Sequence, residues 1–239
     1  MRRFALALLL SLSAPTAAIA EAPVDSALVL AVDVSGSVDS ERYQLQMEGI
    51  AAAFEDSDVQ QAILSGPRRA MLLTLVVWSD KPRLAIPWTR IAKRTDAAAF
   101  AAKVRRLPRE ASEFTCMADM LRFVYDKVLP RTPAPASRSV VDVSGDGSDN
   151  CNTDPVGRWR DTLVASGVTL NGLPILAGRE AATLANWYRA EVIGGAGAFL
   201  LPAHGFADFA RAIRQKFITE ISALAPTTFE GGRAASPPD

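Results

Sequence analysis

The chain has 239 residues, of which 49% are hydrophobic and 22% charged, and its 26 basic residues balance 26 acidic ones. This length suffices for one large domain with a substantial core, and the balanced charge argues against a nucleic-acid binder, which needs a basic excess on one face. With one histidine and two cysteines, the chain cannot supply a tetrahedral zinc site of thiolate and imidazole ligands.

Residues 1–20 have the pattern of a secretory signal peptide. Arg2 and Arg3 precede a short apolar stretch, and an Ala-Ile-Ala cleavage site stands before Glu21. After these residues, no apolar run approaches the roughly 18 residues of a membrane-spanning helix. We therefore predict a mature chain without a membrane span that is exported by a bacterium, either to the periplasm or as a secreted protein.

Beyond this leader, apolar runs typical of buried strands alternate with segments of helical spacing. The predicted strands are Ser26–Val34, Met71–Ser79, Leu84–Trp88, Ser139–Ser144, Val168–Ile175 and Ala198–Leu201. The predicted helices are Ser40–Glu55, Asp96–Leu107, Met117–Leu129, Pro155–Ser166, Glu180–Arg189 and Phe206–Leu224. This alternation predicts an α/β domain over residues 21–224, with a mostly parallel sheet between two helical layers. Residues 225–239, rich in Pro, Gly, Ser and Thr, are predicted to be a disordered tail.

Oxygen-bearing side chains follow the strands at the edge of the sheet where ligand sites form. Asp33, Ser35 and Ser37 come at the end of the first strand, Asp146 follows the fourth, and Thr115 precedes a helix. Hydroxyls and carboxylates are hard ligands, which suit Mg²⁺, Mn²⁺ or Ca²⁺ rather than zinc or copper. Ser and Asp are also preferred helix N-caps, so the first motif alone leaves a purely structural role open.

In this order, these residues resemble the von Willebrand factor A domain, the fold also found as the integrin I domain. The metal-ion-dependent adhesion site of that family uses D-x-S-x-S, here Asp33, Ser35 and Ser37, followed by a distant Thr and a distant Asp, here Thr115 and Asp146. The resemblance implies that the two serines bind a divalent ion directly and that the threonine binds it directly or through water. The two aspartates would hold coordinated waters.

The resemblance covers Ser26–Leu224. The segments VDVSGDG, VTLNGLPI and VIGGAGAF are similar to an uncharacterised exported bacterial branch of the superfamily, the DUF1194 proteins. The resemblance to the von Willebrand factor A domain implies a Rossmann-like, doubly wound sheet with one short antiparallel edge strand. One departure from the family pattern is Glu113-Phe114 before Thr115, where many members carry Gly.

The implied function is metal-dependent protein binding in adhesion or assembly, without catalysis. A coordination position of the ion would accept an Asp or Glu carboxylate from a partner protein. The alternative is a metal-dependent hydrolase that uses the same Asp and Ser cluster. In a hydrolase with a Ser/His/Asp triad, His204 would be the catalytic histidine; otherwise it is a cap or surface residue.

Two features around the predicted site leave alternatives open. Cys116 adjoins Thr115, and Cys151 lies a few residues beyond Asp146. In an exported protein these cysteines would form a disulfide, and otherwise they would be two free buried thiols. Asp142, inside an apolar strand, either reinforces the site or pairs with a buried partner.

Overall fold

The computed structural model describes residues 21–110, 112–151 and 153–222. Five strands form one sheet in the order β3-β2-β1-β4-β5, with bounds β1 Val24–Asp33, β2 Met71–Trp78, β3 Arg83–Ile91, β4 Ala136–Gly145 and β5 Val168–Pro174. β1 pairs in parallel with β2 and β4, and β4 with β5, while β3 runs antiparallel at the edge. The predicted mostly parallel sheet with one antiparallel edge strand is confirmed.

Helices cover both faces of this sheet. They are α1 Ser40–Glu55, α2 Ser57–Ser65, α3 Arg94–Arg105, α4 Met117–Phe123, α5 Val156–Ala165, α6 Leu184–Glu191 and α7 Phe209–Ser222. Along β1, Leu28, Leu30 and Val32 pack with the apolar faces of α1, α3 and α7, whereas Val29 and Ala31 pack on the opposite side with α4, α5 and α6. Burial on both faces explains why this strand is an unbroken apolar run. Among the described helices, none is long and apolar enough to cross a membrane.

Two elements differ in kind from the prediction. α2 was not predicted; its first turn is capped by Asp56, whose carboxylate accepts hydrogen bonds from the Asp58 and Val59 backbone N–H groups. The predicted strand Ala198–Leu201 is wrong, because this segment makes only isolated bridges to β5 in the described residues. Gly195 and Gly197 adopt positive φ angles just before it, which turns the backbone out of a regular ladder.

Two predicted helices shift by one or two residues at each end, Asp96–Leu107 to Arg94–Arg105 and Pro155–Ser166 to Val156–Ala165. Three others differ because 3₁₀ or π-helical turns replace part of them. α4 ends at Phe123, and a π-helical turn and a 3₁₀ turn complete the segment to Arg131, where Pro130 lacks the N–H that an α-helix needs. α6 begins only at Leu184, after a separate 3₁₀ turn. α7 is likewise preceded by a 3₁₀ turn and is described as far as Ser222. The predicted signal peptide, residues 1–20, and the predicted tail, residues 225–239, lie outside the described residues.

Candidate metal centre

The ends of β1 and β4 bring the first aspartate against the neighbouring strand. Val32 of β1 is paired with Ser144 of β4, so the next residue of each strand, Asp33 and Gly145, lies at the same edge of the sheet. A Cβ atom added at Gly145 would lie 2.8 Å from Asp33 Oδ2. A glycine at this position therefore leaves the space that the Asp33 carboxylate occupies.

Hydrogen bonds connect the D-x-S-x-S motif to the end of β4. Asp33 Oδ1 accepts the Ser35 backbone N–H at 2.7 Å. The Ser35 and Ser37 hydroxyl oxygens are 3.3 Å apart. Ser37 Oγ in turn donates to Asp146 Oδ1 at 2.5 Å, across 109 residues of sequence. Four of the five predicted site residues thus form one continuous polar cluster.

The fifth predicted residue, Thr115, lies against the same cluster from a separate loop. Its backbone N–H donates to Asn150 Oδ1 at 2.8 Å, and the Asn150 N–H donates back to the Thr115 carbonyl at 3.1 Å. A Cβ atom at Gly147 would lie 3.8 Å from Thr115 Oγ1. The threonine hydroxyl therefore faces the loop that carries Asp146.

A disulfide joins these two loops covalently. Cys116 and Cys151 are bonded, with their Cα atoms 5.1 Å apart. The predicted disulfide is confirmed, and the alternative of two free thiols is wrong. Since Cys116 is adjacent to Thr115, the bond restrains the threonine loop against the loop that follows β4.

The departure from the family pattern before Thr115 is accommodated by an aspartate that follows β2. Asp80 Oδ1 accepts the Phe114 backbone N–H at 2.6 Å, and Asp80 Oδ2 accepts from Ser112 Oγ at 2.9 Å. The Phe114 side chain itself is 48% exposed on the rim of the site. A carboxylate from a neighbouring strand end thus fixes the loop backbone where many family members have a glycine.

The site has an excess of negative charge in its buried part. The pKa of Asp33 is raised from 3.8 to about 7, mainly by burial and also by the nearby Asp146 carboxylate, while hydrogen bonds from Ser35 oppose the shift. Burial also raises the pKa of Asp146, although the Ser37 hydroxyl and the Arg42 guanidinium oppose this shift. Asp33 Oδ2 is buried with no hydrogen-bond partner in the described part of the chain. A bound cation would relieve this cost by favouring the charged carboxylates.

The donor set fits a hard divalent ion. Hydroxyl and carboxylate oxygens converge here, and these are the ligands that Mg²⁺, Mn²⁺ and Ca²⁺ prefer. Within residues 21–110, 112–151 and 153–222, no group of three His, Cys, Asp or Glu side chains could hold a metal ion. An ion at this site would therefore depend on the serine and threonine hydroxyls.

Several residues of the site were not predicted from the sequence. Arg42, in the first turn of α1, donates to the Ser37 carbonyl at 2.6 Å, and its Nη1 lies 3.8 Å from Asp146 Oδ2. The Tyr188 hydroxyl is buried beside Gly145. Glu180 accepts the Ser148 N–H at 3.0 Å. Arg42, Tyr188 and Glu180 lie in helices or turns that were predicted from the spacing of their apolar residues. No sequence motif includes them, so they could not be assigned to the site.

The sequence left the roles of His204 and Asp142 undecided, and the structure shows where each one lies. His204 is exposed, and its backbone N–H donates to Asp208 at 2.9 Å in the turn before α7. Asp142 does not join the edge cluster; it contacts Lys216 of α7 in the interior. The structure therefore confirms the alternative in which Asp142 pairs with a buried partner.

A family model described as a protein of unknown function, DUF1194, matches residues 23–225. No curated protein matches the chain. Among solved structures, proximal thread matrix protein 1 from the mussel byssus is similar, with a TM-score of 0.60 and 15% identity over 85% of this chain and 48% of that chain. The chain thus spans about half the length of the mussel protein. Another structure of that protein is described as having a zinc-occupied MIDAS motif.

Two bacterial structures are also similar. A von Willebrand factor type A protein from Catenulispora acidiphila has a TM-score of 0.59 and 17% identity over 84% of this chain and 43% of that chain. The von Willebrand factor domain of the type V pili tip protein Mfa5 from Porphyromonas gingivalis has a TM-score of 0.59 and 10% identity over 84% of this chain and 97% of that chain. At such low identity these likenesses establish a shared fold.

Proposed function

The chain belongs to the DUF1194 family and has the von Willebrand factor A fold, and from this premise we propose that it is an exported protein-binding module that holds its partner through a divalent cation. One observation carries the proposal. At the carboxyl edge of the sheet, Asp33 is fully buried and its Oδ2 has no donor among the described residues. The polar cluster continues from it through Ser35 and Ser37 to Asp146. Such a buried charge is costly unless a cation or a coordinated water compensates it.

The roles of the five residues follow from their chemistry and position. Ser35, Ser37 and Thr115 would contribute hydroxyl oxygens to the ion. Asp33 and Asp146 would accept hydrogen bonds from coordinated waters and orient the hydroxyls, as the Ser37–Asp146 bond of 2.5 Å suggests. Mg²⁺, or alternatively Mn²⁺ or Ca²⁺, would supply Lewis acidity that attracts a carboxylate oxygen of the partner. The zinc-occupied motif of the mussel protein supports a divalent ion in this fold.

Export and protein binding are supported by different observations. The Cys116–Cys151 disulfide is typical of proteins that fold in an oxidising compartment. Of the similar structures, one belongs to a pilus tip protein and another to a byssus matrix protein. The partner would present an Asp or Glu side chain, since a carboxylate matches an ion that has few carboxylates of its own.

The test is a pull-down from the native cell envelope in Mg²⁺ and in excess chelator, with wild type and Asp33→Ala compared. We expect a partner that is captured by wild type in Mg²⁺ and lost in both other conditions. Asp126→Ala, which removes an exposed carboxylate at a distance from the site, is the matched control and should retain the partner. Capture that is unchanged in chelator would refute the proposal.

The same variants test the rival enzyme. If wild type turned over ester or phosphate substrates and Asp33→Ala did not, the cluster would serve a metal-dependent hydrolase. We expect no difference between these two proteins in such an assay.

A further inference from the structure

A second polar cluster lies in the interior, between the sheet and α7. Lys216 is fully buried, and its Nζ directly contacts Oδ1 of Asp142 in the middle of β4. Glu220 lies four residues later on α7, so it shares the face of the helix that carries Lys216. Asn171 of β5 is paired in register with Asp142. Since Asp142 precedes Asp146 by four residues of strand, the cluster lies about 13 Å from the candidate metal centre.

The surroundings of the Lys216–Asp142 pair are apolar. The Phe199 ring centroid is 5.1 Å from Lys216 Nζ. Further apolar side chains line the remaining space beside the pair, among them Leu30, Ile50, Leu173 and Ile213. An ammonium and a carboxylate pay a large desolvation cost in such a place, and transfer of one proton turns them into a neutral amine and a neutral acid.

Glu220 is placed to exchange protons with both members of the pair. Its Oε2 lies 3.8 Å from Lys216 Nζ. Glu220 Oε2 and Asp142 Oδ2 are both buried with no hydrogen-bond partner in the described part of the chain, and the Asp142 carboxylate lies close enough to raise the pKa of Glu220. Its Oε1 accepts from Asn171 Nδ2 at 2.5 Å and lies 3.6 Å from Arg138 Nη2, which fixes its orientation. Burial and the nearby Asp142 charge raise the pKa of Glu220 to about 8, while Lys216 and Arg138 oppose the shift. This shift favours the protonated form of the carboxyl group.

We propose that Lys216 and Asp142 become joined by an intramolecular isopeptide bond, with Glu220 as the catalytic residue. In the neutral pair, the lone pair of Nζ attacks Cγ of Asp142, and an N–C bond forms. Glu220 gives its proton to the departing hydroxyl, which leaves as water when the Cγ–O bond breaks, and it takes back a proton from Nζ. The sum is an amine and a carboxylic acid that give an amide and one water, with no oxidant, reductant or activated group.

Three features favour this step over a lasting ion pair. The amine and the carboxyl group are held in contact by a helix and a strand, which replaces a bimolecular encounter by an intramolecular one. The amide removes two buried charges. It also ties α7 to β4 across 74 residues of sequence. The cross-link would hold the last described helix against the sheet in a protein that works outside the cell.

The experiment is mass spectrometry of the purified, folded protein after reduction of its disulfide. We expect a mass one water below the sequence mass. A tryptic digest should contain one branched peptide in which Ser139–Arg158 is joined to Gln215–Arg233 through Asp142 and Lys216. The digest is decisive because loss of water alone can also arise by cyclisation at an Asp-Gly sequence. If the wild-type digest holds these segments only as separate linear peptides, the proposal is overturned.

Variants assign the chemistry. Glu220→Gln keeps the shape of the side chain but removes its exchangeable acid proton, so the branched peptide should be lost. Glu41→Gln, which changes an exposed carboxyl on α1, is the matched control and should keep it. If folded Glu220→Gln still forms the cross-link at the wild-type level, Glu220 is not its catalyst. Because the wild-type digest is read independently, a variant that fails to fold leaves the main test intact.

Discussion

β4 and the loop that follows it carry two buried aspartates, four residues apart, which have very different partners. Asp142 lies within the strand and contacts the fully buried side chain of Lys216. Asp146 lies just beyond the strand, where its partners are the Ser37 hydroxyl at 2.5 Å and the half-exposed Arg42 at 3.8 Å. Asp142 thus has an amine partner built into the chain, whereas Asp146 belongs to a cluster whose deepest carboxylate, Asp33, has no hydrogen-bond partner for its Oδ2 among the described residues.

This difference follows from where each aspartate lies on the strand. A position in the middle of a sheet is covered by a helix, so only a side chain of that helix can supply the compensating charge. The carboxyl ends of parallel strands open into loops, through which an ion and a partner can approach. The interior carboxyl group is therefore closed off by the protein itself, whereas the edge cluster is open to groups from solution, as the proposed cation site requires.

The largest expected effect comes from removing Lys216. Lys216→Met removes the side chain that is joined to Asp142 and leaves that carboxyl group buried without a partner, so the free energy of unfolding should fall by about 3–5 kcal/mol. Urea denaturation followed by circular dichroism measures this loss. The double variant Lys216→Met with Asp142→Asn should recover part of it. A loss below about 1 kcal/mol in the single variant would show that the interior pair is not a strong element of the fold.

A pH series probes the same interior cluster. Glu220 has a pKa raised from 4.5 to about 8 in the fold, so the folded state binds more protons than the unfolded state between these values. The free energy of unfolding should therefore be highest below pH 4.5 for this group and should fall as the pH rises toward 8, by a few kcal/mol in order of magnitude. The groups that face it are Asp142, Lys216 and Arg138.

Glu220→Gln provides the control for that series, because it cannot titrate. Denaturation of wild type and variant at matched pH values should give a flatter profile for the variant. A wild-type profile that stays level over this range, or rises, would contradict the assignment.

At the edge cluster, stability should depend on the solution. Addition of Mg²⁺ at about a hundred times its dissociation constant should stabilise the wild type by about 2–3 kcal/mol, because the ion binds the folded state. Asp33→Asn should show no such gain, although in chelator it should be at least as stable as wild type, since it removes an unpaired buried charge. Thermal unfolding with and without Mg²⁺ checks both statements. If Mg²⁺ stabilised the variant as much as the wild type, the ion would bind at a place other than Asp33.

The smallest expected effect concerns Arg42, which partly offsets the charge of Asp146. Arg42→Gln removes a positive charge beside the ion, so Mg²⁺ affinity should rise by a few fold, about 1 kcal/mol or less at this half-exposed position. Isothermal titration calorimetry measures the change. A fall in affinity would indicate that Arg42 orients Asp146 for the ion instead of competing with it.

Much of the edge cluster was predictable because each part is local in sequence. Asp33, Ser35 and Ser37 stand together after one apolar run, and Asp146 follows another. Since parallel strands end at one edge, their convergence followed from the α/β pattern. The partners that hold the threonine loop, Asp80 among them, could not be predicted, because a single aspartate after a strand has many possible roles.

The sequence by itself determined the alternation of strands and helices and the order in which the oxygen-bearing side chains and the two cysteines occur along the chain. These features follow from the local spacing of apolar residues and from the residue types at strand ends, which can be interpreted one strand or helix at a time. Only the tertiary structure decided that Ala198–Leu201 is not a strand, that Asp80 holds the Phe114 backbone, and that Asp142 meets Lys216 and Glu220. Those outcomes depend on how α7 packs across the sheet and on which loops meet, and contacts over 74 residues leave no trace in a local pattern.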